Sequence, residues 1–128
     1  MSRALDDLDP TFRPLAVEFL ARCVEAGLMV LIVDTKRTEA EHADNLRRGV
    51  SWTRRSKHLD GLAIDICPYE TYALAGADKL RWDPSDPVWL RIGKLGEAAG
   101  MVWGGRWKTT PDLGHFEMPA AVAPRSPL

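Results

Sequence analysis

Two short segments, Ser56-Lys57-His58-Leu59-Asp60-Gly61-Leu62-Ala63-Ile64-Asp65 and Asp112-Leu113-Gly114-His115-Phe116-Glu117, constrain this chain more than any other feature. Between them they carry His58, Asp65 and His115. Two imidazoles and one carboxylate are a ligand set that suits zinc, and three protein ligands leave the fourth tetrahedral position open for water. An open position belongs to chemistry rather than to scaffolding. If the three share one ion, the fold must bring His115 to Asp65 from 50 positions further along. Either histidine taken alone reads as an ordinary side chain. The chain has only 3 histidines, however, and two of them fall in these segments.

Local patterning supports the grouping. Asp60-Gly61 between apolar runs is a two-residue hairpin signal, with Gly61 free to take positive φ. In such a hairpin His58 faces Ala63, and side-chain alternation puts Ala63, Asp65 and Cys67 on one face. His58 and Asp65 become diagonal neighbours roughly 7 Å apart at Cα. His115-Phe116-Glu117-Met118 is a short alternating run in which His115 and Glu117 share a face and Phe116 points to the core. Glu117 then either holds the second ring nitrogen of His115, as metal sites commonly require, or is a strand-surface glutamate. Cys67 either borders the ion or is a core thiol.

The pattern S-x-H-x-x-G-x-A-x-D at Ser56, His58, Gly61, Ala63 and Asp65 is followed by Trp103-Gly104-Gly105-Arg106-Trp107 and then by Asp112, His115, Phe116 and Glu117. In this order the segments resemble the zinc peptidases that include D-alanyl-D-alanine carboxypeptidases and phage L-alanyl-D-glutamate endolysins. Upstream, Lys36-Arg37-Thr38 corresponds to the family's aromatic-Arg-Ser segment, and the resemblance spans roughly residues 10–118. It implies one Zn2+ per chain on His58, Asp65 and His115, with Asp112 as general base and Arg37 as oxyanion stabiliser. It also implies Ser56 as a substrate contact. Lys36, His42, Arg106 and Gly114 depart from the family pattern, and none of them is a proposed ligand or the base. His42 reads as a fourth ligand, a substrate contact or, more simply, a helix-surface histidine.

At 128 residues, with 45% hydrophobic and 27% charged residues, one domain with a real core is expected. No apolar run approaches the roughly 20 residues of a membrane span, and the N-terminus lacks a signal peptide's apolar stretch. The expectation is synthesis in the host cytoplasm, no membrane insertion and action on the cell wall after release. Two cysteines without an export signal read as reduced core thiols.

A helix is expected over about Thr11 to Ala26, with Leu15, Phe19, Leu20, Cys23 and Val24 on its apolar face and Gly27 closing it. Leu28 to Asp34 reads as a buried strand. Thr38-Glu39-Ala40-Glu41 is a capping box opening a second helix to about Arg48, which places Arg37 on the strand-to-helix turn. Tyr69 to Pro84 reads as a loop with a short helical piece. A third helix runs from Asp86-Pro87 to Ala99 with Gly100 at its end, followed by a strand at Met101 to Trp103. The fold class is α+β, a small antiparallel sheet against about three helices. Residues 1–118 form one catalytic domain and 119–128 an extended tail.

Of the 5 tryptophans, Trp89 and Trp103 fit the core, and Trp107 is the candidate for lining a cleft. Arg47, Arg48, Arg54, Arg55 and Lys57 are either a solvated charge run or an attraction for anionic wall and stem carboxylates. A net charge of −1 and the lack of a recognisable nucleic-acid motif argue against nucleic acid. The expected function is a zinc peptidase on the peptide stem of peptidoglycan, most simply an L-alanyl-D-glutamate endopeptidase serving as a phage lysin and acting as a monomer. A D-alanyl-D-alanine carboxypeptidase and a non-catalytic zinc-containing wall-binding module are the alternatives.

Overall fold

The structure is a computed structural model and describes residues 2–36, 38, 40, 41, 43, 47, 57–70 and 79–120. Helix α1 spans Arg13–Glu25 and buries Ala16, Phe19 and Cys23, one stripe of a 3.6-residue period. It ends where Gly27 takes φ +74°. Leu28 N–H donates to the Cys23 carbonyl and Gly27 N–H to that of Val24, which satisfies the last helical acceptors. Helix α2, Val88–Ala98, ends the same way: Gly100 at φ +100° lets Met101 N–H reach the Gly96 carbonyl and Gly100 N–H that of Glu97. Each of these turns delivers the chain directly into a strand.

Those strands are β1 (Val30–Asp34) and β4 (Val102–Trp103). Together with β2 (Ala63–Glu70) and β5 (His115–Glu117) they form an antiparallel sheet in the order β1-β2-β5-β4, and β3 (Lys79–Leu80) pairs with the far end of β2. The α+β class is as expected. Among the described residues there are two complete helices, and Ala40, Glu41, Ala43 and Arg47 are also helical. The capping box forms as read: Thr38 N–H donates to the Glu41 carboxylate at 2.9 Å and Glu41 N–H to Thr38 Oγ1 at 3.1 Å.

Phe116 is the centre of the core. Its ring lies 4.5 Å from that of Phe19 and 6.5 Å from that of Trp103, centroid to centroid. Helix α2 approaches closely because Gly93 and Gly96 face these rings. A Cβ at Gly93 would come within 2.4 Å of Trp103, and one at Gly96 within 2.3 Å of Phe116. Trp89 and Trp103 are core residues, as expected, and Cys23 and Cys67 are buried free thiols.

Three expectations are corrected. Val24 lies off the buried stripe of α1 and is 75% exposed. The run Leu28 to Asp34 is an edge strand with Leu31 45% exposed, because among the described residues β1 has a sheet neighbour on one side only; a continuous apolar run looks the same whether it is central or at an edge. In the stretch Tyr69 to Pro84, β2 continues through Glu70 and Lys79–Leu80 is a strand, while residues 71–78 lie outside the described residues.

Candidate metal centre

Strand pairing builds half of the site. In the β2–β5 register Asp65 stands opposite His115, Ala63 opposite Glu117, and Ile64 opposite Phe116. Phe116 therefore enters the core while His115 and Glu117 project from the other face. His115 Nδ1 lies 2.9 Å from Asp65 Oδ1, and His115 Nε2 lies 2.8 Å from Glu117 Oε1.

His58 arrives differently from the hairpin expectation. It sits in a 3-10 turn, Lys57–Asp60, closed by Gly61 N–H to the His58 carbonyl and Leu62 N–H to the Lys57 carbonyl. β2 pairs with β1 on one edge and β5 on the other, and at its Ala63 end the partner is Glu117 of β5 rather than His58. Gly61 does take positive φ, at +71°, and a Cβ there would lie 2.8 Å from the Asp9 backbone nitrogen. The turn still aims His58 at Asp65, with Nε2 3.1 Å from Oδ2 and the side chain almost fully buried.

The opposite nitrogen of each ring fixes its orientation. His58 Nδ1 is 2.6 Å from the Thr35 carbonyl, which can only accept, so Nδ1 carries a hydrogen and Nε2 faces Asp65. In the same way Glu117 holds the Nε2 hydrogen of His115 and leaves Nδ1 on the Asp65 side. The two imidazoles meet edge to face with centroids 5.2 Å apart. One ligand atom from each of His58, Asp65 and His115 lies within 4.8 Å of the others. Two nitrogens and one carboxylate oxygen converging at this spacing, each imidazole braced from behind, fit a metal ion such as zinc. Cys67 is outside this cluster: its Sγ donates to the Pro68 carbonyl at 3.3 Å within the core, and burial raises its pKa.

The charges are tightly coupled. Burial alone would raise the pKa of Asp65, but hydrogen bonds from His115 and His58, and their charges, hold it well below the usual carboxylate range. Burial opposes protonation of His115, and its bonds to Asp65 and Glu117 overcome that, raising its pKa to about 9. Glu117 is lowered, its burial outweighed by hydrogen bonds from His115 and from Lys57.

Asp112 stands three residues before His115. Its N–H donates to the Gly104 carbonyl at 3.0 Å, and its own carbonyl accepts from His115 N–H at 3.3 Å. A Cβ on Gly104 would sit 2.6 Å from the Asp112 carbonyl oxygen and 3.1 Å from His115 Cβ, so only glycine admits this approach. Desolvation of the Asp112 carboxyl and the nearby negative charge of Asp65 raise its pKa, against the opposite pull of His115, the Gly114 N–H and His58. The residue as a whole remains open to solvent.

Trp107 is half-buried, and its ring centroid lies 5.1 Å from that of His115. Arg106 pairs with Glu97 through two contacts of 3.0 Å and lies over the Trp103 ring at 5.2 Å, fastening the Gly104 turn to α2. Arg37, Ser56, His42, Arg48, Arg54 and Arg55 lie outside the described residues. Two contributors escaped the sequence reading. The Thr35 carbonyl is backbone and leaves no residue-type signal. Lys57, read as part of a basic cluster, instead contacts Glu117 Oε2 at 3.1 Å and the Met118 carbonyl at 2.6 Å.

Comparison with known proteins agrees with this geometry. Residues 49–118 match the family described as D-alanyl-D-alanine carboxypeptidase. The chain is 33% identical over 93 residues to the L-alanyl-D-glutamate peptidase of Listeria phage A118, covering 71% of this chain and 31% of that protein. It is 30% identical over 131 residues to the peptidoglycan L-alanyl-D-glutamate endopeptidase CwlK of Bacillus subtilis (strain 168), covering 88% of this chain and 74% of that one. The crystal structure of the Serratia marcescens L-Ala D-Glu endopeptidase ChiX superposes with a TM-score of 0.69 at 26% identity, covering 90% of this chain and 83% of the other.

Proposed function

Because the chain belongs to the D-alanyl-D-alanine carboxypeptidase family of peptidases, we propose that it is a zinc-dependent L-alanyl-D-glutamate endopeptidase acting on peptidoglycan stems, in the role of a phage lysin. The observation that carries this is the convergence of His58, Asp65 and His115 with Asp112 held beside them. The bond assignment is supported by the relatives, whose names specify the L-alanyl-D-glutamate linkage. In this reading residues 1–118 are the catalytic domain, residues 119–128 are a tail, and one ion is held per chain by His58 Nε2, His115 Nδ1 and an Asp65 oxygen.

Bound there, zinc would supply Lewis acidity toward a water nucleophile and the scissile carbonyl. The protein residues do the rest. The Asp112 carboxylate takes the proton of the attacking water, and its raised pKa makes it a stronger base than an ordinary aspartate. The same carboxyl then gives the proton to the departing amine. Arg37 is the candidate donor to the carbonyl oxygen as negative charge develops, and one such donor is typically worth about 3 kcal/mol of barrier. Trp107 and Ser56 are the candidate walls for the stem.

Mass analysis of soluble fragments released from purified peptidoglycan tests the bond. New alanine carboxyl and glutamate amino termini support the endopeptidase. Release of a single terminal alanine would move the assignment to a D-alanyl-D-alanine carboxypeptidase, the reading the family description favours. Bound zinc without cleavage would point to a wall-binding module.

A further inference from the structure

Lys57 occupies a singular place in the chain. It immediately precedes the candidate ligand His58, and its ammonium reaches across to the strand that carries the other imidazole. Nζ contacts Glu117 Oε2 at 3.1 Å and donates to the Met118 carbonyl at 2.6 Å. The Lys57 carbonyl meanwhile accepts from Leu62 N–H, closing the turn that aims His58. Glu117 uses its other oxygen, Oε1, on His115 Nε2 at 2.8 Å. One side chain therefore ties the His58 segment to the His115 segment and fixes the carboxylate that fixes the imidazole.

We propose that Lys57 is a positioning residue for the metal centre, acting through Glu117 to hold the ring of His115 and locking together the two segments that supply the imidazoles. This rests on the reading that His58, Asp65 and His115 bind a metal, and not on which bond the enzyme cuts. The argument is geometric. Without Lys57, Glu117 loses the partner that sets its rotamer. A glutamate has three side-chain torsions, and only a carboxylate locked from the far side keeps Oε1 on Nε2 as the ring turns Nδ1 toward Asp65. The main chain loosens as well, because the Met118 carbonyl loses a charge-assisted hydrogen bond. Partners that orient a ligand from behind are typically worth 10- to 100-fold in metal affinity. Lys57 stands one residue further out, so its share lies toward the low end of that range.

The competing account of the same lysine is electrostatic attraction of an anionic stem, which its place beside four arginines in the sequence suggests. The two accounts separate by experiment. The zinc dissociation constants of the full chain, Lys57→Met, Glu117→Ala and the double variant are measured by competition with a chromophoric chelator. A 15N spectrum of the His115 ring is recorded for each, and KM for a soluble stem peptide is measured on the zinc-saturated proteins. Lys57→Met is expected to weaken zinc binding about tenfold and to shift the His115 Nε2–H signal. In the Glu117→Ala background its added effect should be less than about twofold, since the path through Glu117 is already cut. Lys57→Arg, which keeps a cation that can reach the same two oxygens, should restore most of the affinity. Lys57 is 32% exposed at the side chain, so the variants should keep the wild-type unfolding temperature when zinc is removed to within a few degrees.

Unchanged zinc affinity with a raised KM for Lys57→Met would overturn the proposal in favour of substrate attraction. Additive effects of Lys57→Met and Glu117→Ala would overturn the path through Glu117. A protein that binds zinc with this dependence on Lys57 yet cleaves no stem would leave the proposal standing and refute the peptidase assignment instead.

Discussion

The metal-free protein should lose stability as pH rises through the neutral range, and His115 sets the amount. Its folded pKa is raised to about 9 from an ordinary 6.5 by Asp65 and Glu117 acting against its burial. A histidine raised in the folded state contributes stability that is complete below the unfolded pKa and disappears as pH climbs through the folded one. The full shift corresponds to about 3 kcal/mol at 1.36 kcal/mol per unit. Between pH 6.5 and 8.5 the loss comes to about 2 kcal/mol, or roughly 8 °C in unfolding temperature for a domain of this size. That window ends below the ordinary thiol range, so Cys23, raised by burial to about 11, does not enter. Asp65 is the other half of the same interaction and is not counted again. The assay is thermal unfolding of chelated protein across the window, beside chelated His115→Gln, which lacks the titrating ring. The wild type should fall more steeply than the variant, and zinc should abolish the difference in slope, because a metal on Nδ1 replaces the proton. Parallel slopes for the two chelated proteins would refute the charge arrangement derived for His115.

Asp112→Asn should retain bound zinc and lose roughly 100-fold or more in kcat, the usual range for a general base; metal analysis beside a turnover assay checks this, and an active variant would remove the assignment. Since the pKa of Asp112 is raised, the acid limb of the wild-type kcat/KM profile should lie above the ordinary aspartate value and vanish in that variant. Gly104→Ala puts a methyl 2.6 Å from the Asp112 carbonyl oxygen and should cost about 1–3 kcal/mol by overpacking, with zinc affinity and activity falling together; an unperturbed variant would show that the approach is looser than drawn. Phe116→Ala empties the centre of the core and should cost about 3–5 kcal/mol in denaturant unfolding, a loss below 1 kcal/mol placing the core elsewhere.

The parts of this molecule legible in sequence are those whose cause is local. Gly27 and Gly100 mark both helix ends because an αL position favours glycine over any other residue there. Thr38 and Glu41 announce their reciprocal cap by spacing alone. The metal-ligating types at 58, 65 and 115 are chemical identities, readable without any fold. What sequence hid depends on which strands flank β2. With β5 paired at the Ala63 end of β2, the Asp60-Gly61 signal closes a 3-10 turn instead of a hairpin, yet His58 reaches Asp65 all the same. The exposure of Leu31 follows from β1 being outermost, which its apolar neighbours do not encode. Lys57 was hidden most completely, because a lysine beside four arginines looks like surface charge until β5 brings Glu117 to it.

The pairing of β2 with β5 has an implication for how such a catalyst can be altered. Asp65 and His115 face one another by backbone pairing between β2 and β5, whose nearest ends in sequence, Glu70 and His115, have 44 residues between them in the chain, Lys79 and Leu80 among these pairing back onto β2. Their alignment is set where the strands meet, and not by the length of what joins them. The connecting chain can therefore be lengthened, shortened or exchanged at its surface turns, as at Asp83-Pro84-Ser85, while the ligands keep their register. The alignment of Asp65 with His115 is in this sense a property of the strand pairing alone, which a change in such a turn leaves in place.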